Sequence, residues 1–155
     1  AFTAARDITG TVDATVTVTL IDGLNAPVVG FPFEDVWLES ADGGMAFCTG
    51  GTTADANSDV AGQTTWATPL AAGGSSLALT KVMVSGAALT SSAGMALHHN
   101  SADISGDGVV NLTDVPLFVN DFYGAYAFRS DFSFDAVINL SDVVRMGTAI
   151  GASCP

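Results

Sequence analysis

Asp103-Ile104-Ser105-Gly106-Asp107-Gly108-Val109-Val110-Asn111-Leu112-Thr113-Asp114 is followed, 28 residues later, by Asp131-Phe132-Ser133-Phe134-Asp135-Ala136-Val137-Ile138-Asn139-Leu140-Ser141-Asp142. In both stretches oxygen-bearing side chains stand at positions 1, 3, 5, 9 and 12, and position 7 can offer its backbone carbonyl. That is the oxygen cage required by a hard cation of calcium's size. A short apolar residue at position 8, Val110 or Ile138, completes each pattern. An acidic chain can gather three Asp in one window by chance. The same five oxygen positions and a shared Asn-Leu-Thr/Ser-Asp ending mark a repeat instead.

The two loops differ at position 6, where a sharp turn needs positive φ. Gly108 supplies it freely in the first loop, whereas Ala136 must adopt it at about 1 kcal/mol in the second. Two calcium sites are expected, the second weaker. Position 12 is Asp in both, one methylene shorter than the usual Glu, so the segment after each loop must approach the ion more closely. Apolar residues follow at helical spacing: Val115, Leu117, Phe118 and Phe122 after the first loop, Val143, Val144, Met146 and Ile150 after the second. Each unit reads as a loop followed by one helix, with no helix marked before it.

This arrangement, with Asp at 1, 5 and 12, Asn at 9 and Gly at 6 of the first copy, resembles the dockerin family over about residues 101 to 153. The resemblance implies a small calcium-stabilised α-domain of two pseudo-symmetric loop-helix units that docks onto a cohesin module. It implies first-site ligands Asp103, Ser105, Asp107, the Val109 carbonyl, Asn111 and Asp114. For the second site it implies Asp131, Ser133, Asp135, the Val137 carbonyl, Asn139 and Asp142. Ser at position 3 and Ala136 at position 6 depart from the family pattern, and both bear on affinity. Similar tails end many secreted bacterial proteins outside cellulose-degrading assemblies, so cohesin binding does not follow from calcium binding.

Composition fits an exported, calcium-loaded chain. Six of the 16 acidic residues sit in the loops, and two Ca²⁺ would bring the formal charge from -12 to -8. Without metal, three crowded carboxylates per loop should leave the C-terminal third poorly folded. Only four Lys and Arg are present, which gives no basic surface for nucleic acid and no polybasic patch for anionic lipid. No apolar run is long enough to cross a membrane. The opening Ala1-Phe2-Thr3-Ala4, without an initiating Met, fits a cleaved leader and a secreted or cell-surface location. In that setting the two cysteines, Cys48 and Cys154, are expected to form a disulfide.

Residues 1 to 92 read as β. Ala14-Thr15-Val16-Thr17-Val18-Thr19-Leu20-Ile21 alternates Thr with apolar residues before a turn at Asp22-Gly23. Further strands are expected over 35–40, 45–48, 63–67 and 77–84, with turns at Gly30, Asp42-Gly43-Gly44, Gly50-Gly51 and Ala72-Gly73-Gly74. The expected fold class is mainly β, an antiparallel β-sandwich followed by the small α-helical calcium module. The succession of alternating strand, Asp-Gly-x-x-Ala-Pro, Asp-rich loop and Gly-Gln-Thr-Thr-Trp is similar to bacterial Ig-like adhesion domains, a likeness that carries no site residues. The predicted division is an Ig-like domain at 1–92, a linker at 93–102 and a dockerin-like domain at 103–155.

No enzyme is expected. The Gly-x-Ser-x-Gly elbow is absent, and the only histidines, His98 and His99, are neighbours that point different ways on the expected linker. Carboxylates outside the loops lie mostly beside turns, and the Glu34 and Glu39 pair has little chain left to form a cleft around it. The sequons at Asn111 and Asn139 fall on loop position 9, where a glycan would compete with the metal. Charged residues are 13% of the chain, against an average of about 25%, and mean hydropathy is +0.43. The leading expectation is an extracellular structural subunit that self-assembles into a fibre or surface layer, with residues 1–12 as a possible exchanged strand. The alternative is a secreted adhesion or anchoring module. It would grip a cohesin-like receptor or a glycan, with Leu112, Thr113, Leu140 and Ser141 as contact surface by resemblance to dockerins.

Overall fold

A computed structural model describes residues 15–67, 69–89 and 93–154, together with the backbone of 3–6. The fold is mainly β, with antiparallel sheets and two helices. In chain order the strands are β1 (Thr3–Arg6), β2 (Val16–Thr19), β3 (Val36–Ser40), β4 (Met45–Phe47), β5 (Gln63–Trp66), β6 (Ala72–Ser76), β7 (Thr80–Val84), β8 (Ala87–Ala88) and β9 (His98–Ser101). The helices are α1 (Asp114–Tyr123) and α2 (Leu140–Ala149).

Period-two patterning accounts for the first two sheets. In β2, Val16 is buried while Thr17 and Thr19 face solvent, and Val16 lies opposite Trp66 of β5. β3 buries Val36, Leu38 and Ser40 on one face and pairs with β7, to which β8 adds an edge. Both sheets feed one core of Val16, Leu20, Val36, Leu38, Ala54 and Trp66. The Trp66 indole N–H donates to the Thr52 carbonyl at 2.9 Å, so the ring is buried without an unpaired donor. Asp22, Asp42 and Asp59 close turns as expected, each accepting a backbone N–H two residues on, at 2.8 to 2.9 Å.

The remaining sheet, ordered β1-β9-β6-β4, departs from the sequence reading twice. Ala72-Gly73-Gly74 is strand β6 and not a turn. Its glycines answer to close approach: a Cβ on Gly73 would strike the Asp103 carboxylate, and one on Gly74 would strike the Gly44 carbonyl. Residues 98–101 fall in the expected linker, yet they form β9, with all four side chains buried. His-His-Asn-Ser has no apolar period to reveal a strand. Its burial rests on specific partners, with Asn100 donating to the Phe128 and Asp131 carbonyls at 2.9 and 2.7 Å and His99 Nε2 lying 2.7 Å from Thr80 Oγ1.

Of the stretch expected to exchange, residues 1–2 and 7–12 lie outside the described residues. Residues 3–6 form β1, antiparallel to β9 of the same chain, with Thr3 opposite Ser101 and Arg6 opposite His98.

A second core of Ala102, Ile104, Val110, Phe118, Phe132 and Met146 holds the C-terminal third together, with Phe118 stacked on Phe132 at 5.8 Å. The helices follow the loops as expected. α1 buries Phe118, with Val115, Leu117 and Phe122 packed beside it. The apolar face expected for α2 is mostly turned outward: Met146 is buried, whereas Val143, Val144 and Ile150 are exposed. β9 precedes the first loop and a one-turn 3-10 helix, Phe128–Ser130, precedes the second. Cys48 and Cys154 form a disulfide, with Cα atoms 5.4 Å apart.

Candidate metal centres

Each loop is closed by the carboxylates at its two ends. Asp103, buried, accepts N–H bonds from Gly106, Asp107 and Gly108 at 2.8 to 3.1 Å, and Asp114, fully buried, accepts from Ser105 and Asn111 at 2.8 and 2.9 Å. The second loop repeats the scheme. Asp131 accepts from Asp135 and Ala136 at 3.2 and 2.9 Å, and Asp142 from Ser133 and Asn139 at 2.7 and 2.9 Å. These bonds fix the orientation of the carboxylates.

Hydroxyl groups add further contacts within each loop. In the first loop Ser105 Oγ lies 3.3 Å from Asp103 Oδ1, Thr113 Oγ1 lies 3.3 Å from Asp107 Oδ2, and the two hydroxyls are 3.5 Å apart. In the second loop Ser133 Oγ lies 3.4 Å from Asp131 Oδ1. Among the described residues, no three His, Cys, Asp or Glu side chains alone make a metal-holding group. A cation here would draw on hydroxyl and backbone carbonyl oxygens as well.

At position 9 each Asn side chain makes local hydrogen bonds. The Asn111 and Asn139 Oδ1 atoms accept the N–H bonds of Thr113 and Ser141 at 2.7 and 2.8 Å, and Asn139 is the N-cap of α2. Asn139 and Asp142 make a reciprocal capping box. The amide NH₂ groups donate to the Val109 carbonyl at 3.2 Å and to that of Val137 at 3.5 Å.

Backbone strain separates the loops more than the sequence reading anticipates. Ala136 has φ +66°, as its position requires, but position 4 is also left-handed: Gly106 at +72° in the first loop and Phe134 at +57° in the second. The first loop meets both demands with glycine and the second with neither.

Several positioning residues carried no local signal in the sequence. Asp121, near the end of α1, receives Arg129 Nε and Nη2 at 2.7 and 2.9 Å and Ser130 Oγ at 2.7 Å, which fixes the chain entering the second loop. The Arg129 hydrogen bond holds the Asp121 carboxyl below the usual carboxylate range. Tyr126 donates to Asp131 Oδ2 at 2.9 Å, and burial together with that carboxylate pushes its phenol up to about 12. These pairs span five to nine residues across irregular backbone, where no helical or strand period brings them together.

The histidines are structural in their surroundings. His98 meets Phe128 edge-on at 6.1 Å. The Thr80 hydroxyl donates to the Leu97 carbonyl at 2.9 Å, so it accepts from His99 Nε2–H, and His99 Nδ1 is buried without a partner. Burial, reinforced by His98, lowers the His99 pKa to about 4. No family model matches the chain, and no curated protein matches it.

Proposed function

We propose that this chain is an extracellular, calcium-stabilised structural subunit that assembles with copies of itself into a fibre or surface layer. Its C-terminal unit is dockerin-like and its β-rich part Ig-like. The observation that supports the reading is the pair of loops whose aspartates at 1, 5 and 12 all accept the loops' own N–H groups in the same scheme. Calcium would neutralise carboxylates that otherwise repel, and so favour the folded C-terminal third. Asp103, Ser105, Asp107, Asn111 and Asp114 with the Val109 carbonyl would hold one ion. Asp131, Ser133, Asp135, Asn139 and Asp142 with the Val137 carbonyl would hold a weaker one.

Self-association is supported by β1, which pairs with one edge of β9 and could equally be supplied by a second copy. The low charge and high mean hydropathy point the same way. The disulfide favours an oxidising, extracellular setting. Among the described residues, no helix is long and apolar enough to cross a membrane. No catalytic residue is proposed.

A second reading is favoured by Leu112 and Leu140, which are 81% and 74% exposed at matching positions of the two units. On that reading they anchor a cohesin-like receptor, and the chain is an adhesion or anchoring module. Sedimentation with millimolar calcium and with excess EGTA, followed by negative-stain electron microscopy, separates the two. Filaments that depend on calcium support the structural subunit; a monodisperse monomer in both conditions moves the assignment to receptor binding.

A further inference from the structure

We infer that the C-terminal segment Gly151–Cys154 is a covalently anchored brace for the first loop, so that the Cys48–Cys154 bond sets the calcium affinity of that loop and leaves the second unaffected. The inference rests on the proposed reading of the loops as calcium sites. Val110 N–H donates to the Ala152 carbonyl, Gly151 N–H to the Val110 carbonyl and Cys154 N–H to the Gly108 carbonyl, each at 2.8 Å. These bonds flank Val109, whose carbonyl is the backbone ligand, and Val109 itself bridges to Ser153.

The other end of the disulfide holds the opposite side of the same loop. Cys48 directly follows β4, which pairs with β6, and Gly73 and Gly74 of β6 lie against Asp103, with Gly74 N–H donating to the Asp103 carbonyl at 2.7 Å. One bond thus clamps the loop at position 1 and at positions 6 to 8. Among the described residues, no backbone segment pairs with 136–138 in this way. A groove of about 430 Å³, lined by Phe47, Cys48, Asp107, Val109, Ser153 and Cys154 among others, gives a small dithiol access to the sulfurs.

Reduction by dithiothreitol breaks the S–S bond. Two electrons and two protons pass to the Cys48 and Cys154 sulfurs, and the reagent closes to its cyclic disulfide. By linkage, calcium must protect the bond as much as the bond supports calcium.

The test is calorimetric calcium titration of the full chain, oxidised and reduced, and of C48S/C154S. An Asp131→Asn background reports the first loop, an Asp103→Asn background the second, and circular dichroism monitors folding. The expected result is at least a tenfold weaker first loop without the bond, the second loop changing less than twofold, and a disulfide less reduced at equilibrium in calcium than in EGTA. Equal first-loop affinity with and without the bond overturns the inference while leaving the calcium reading intact, as does equal weakening of both loops. Should the serine variant not fold, the thiol–disulfide equilibrium of the unmodified chain against dithiothreitol decides, and an equal equilibrium in calcium and EGTA overturns the coupling. An oxidised chain that binds no calcium at millimolar concentration overturns the calcium reading itself.

Discussion

Ala136 and Phe134 hold left-handed backbone that the first loop gives to glycine. Replacing Ala136 with Gly should stabilise the chain by about 1 kcal/mol and tighten the second site several-fold, read by calcium titration and thermal melting. The strain at Ala136 was legible in the sequence because loop position 6 prescribes it; that at Phe134 was not, because position 4 carries no such expectation. His99 gives a pH dependence. Its pKa is about 4 in the folded chain against an ordinary 6.5, so the unfolded chain takes up the proton first. The stability from keeping it neutral is full above pH 6.5 and lost as pH falls towards 4, a change of roughly 3 kcal/mol. Ring chemical shifts should show His99 still neutral at pH 5.5, and a ring charged at that pH would contradict the buried Nδ1.

At the scale of elements, strands with an apolar period and helices behind a loop motif could be read directly, as β2, β3, β5, β7 and α1 show. β6 and β9 could not, because tertiary partners decide them. Gly73 is glycine because the Asp103 carboxylate occupies the space of its Cβ, a fact that no window around residue 73 contains. Gly73→Ala should therefore destabilise the chain by about 2 kcal/mol and weaken the first loop more than the second, measured by urea unfolding and calcium titration. The Arg129 clasp belongs to the same class of long-range contact. Arg129→Ala leaves the buried Asp121 carboxylate with the Ser130 hydroxyl alone, and should cost about 2 kcal/mol in chemical denaturation.

For the whole molecule, the disulfide spans 106 residues in sequence. In the chain-entropy model closing such a loop is worth about 4 to 5 kcal/mol, so reduction should lower the urea midpoint markedly, and an unchanged midpoint would show that the bond constrains little. The pairing was legible from cysteine count and compartment alone; the tail that runs along the first loop to reach it was not, since its contacts are backbone to backbone. The same bond governs how the molecule would bear tension. Under tension applied outside the disulfide, the oxidised chain withholds the 106-residue span between Cys48 and Cys154, a contour of about 360 Å that reduction releases. Strands β5 to β9 and both loop-helix segments lie inside the covalent ring. In the proposed fibre a load would pass through two sulfur atoms and leave both Asp-rich loops slack.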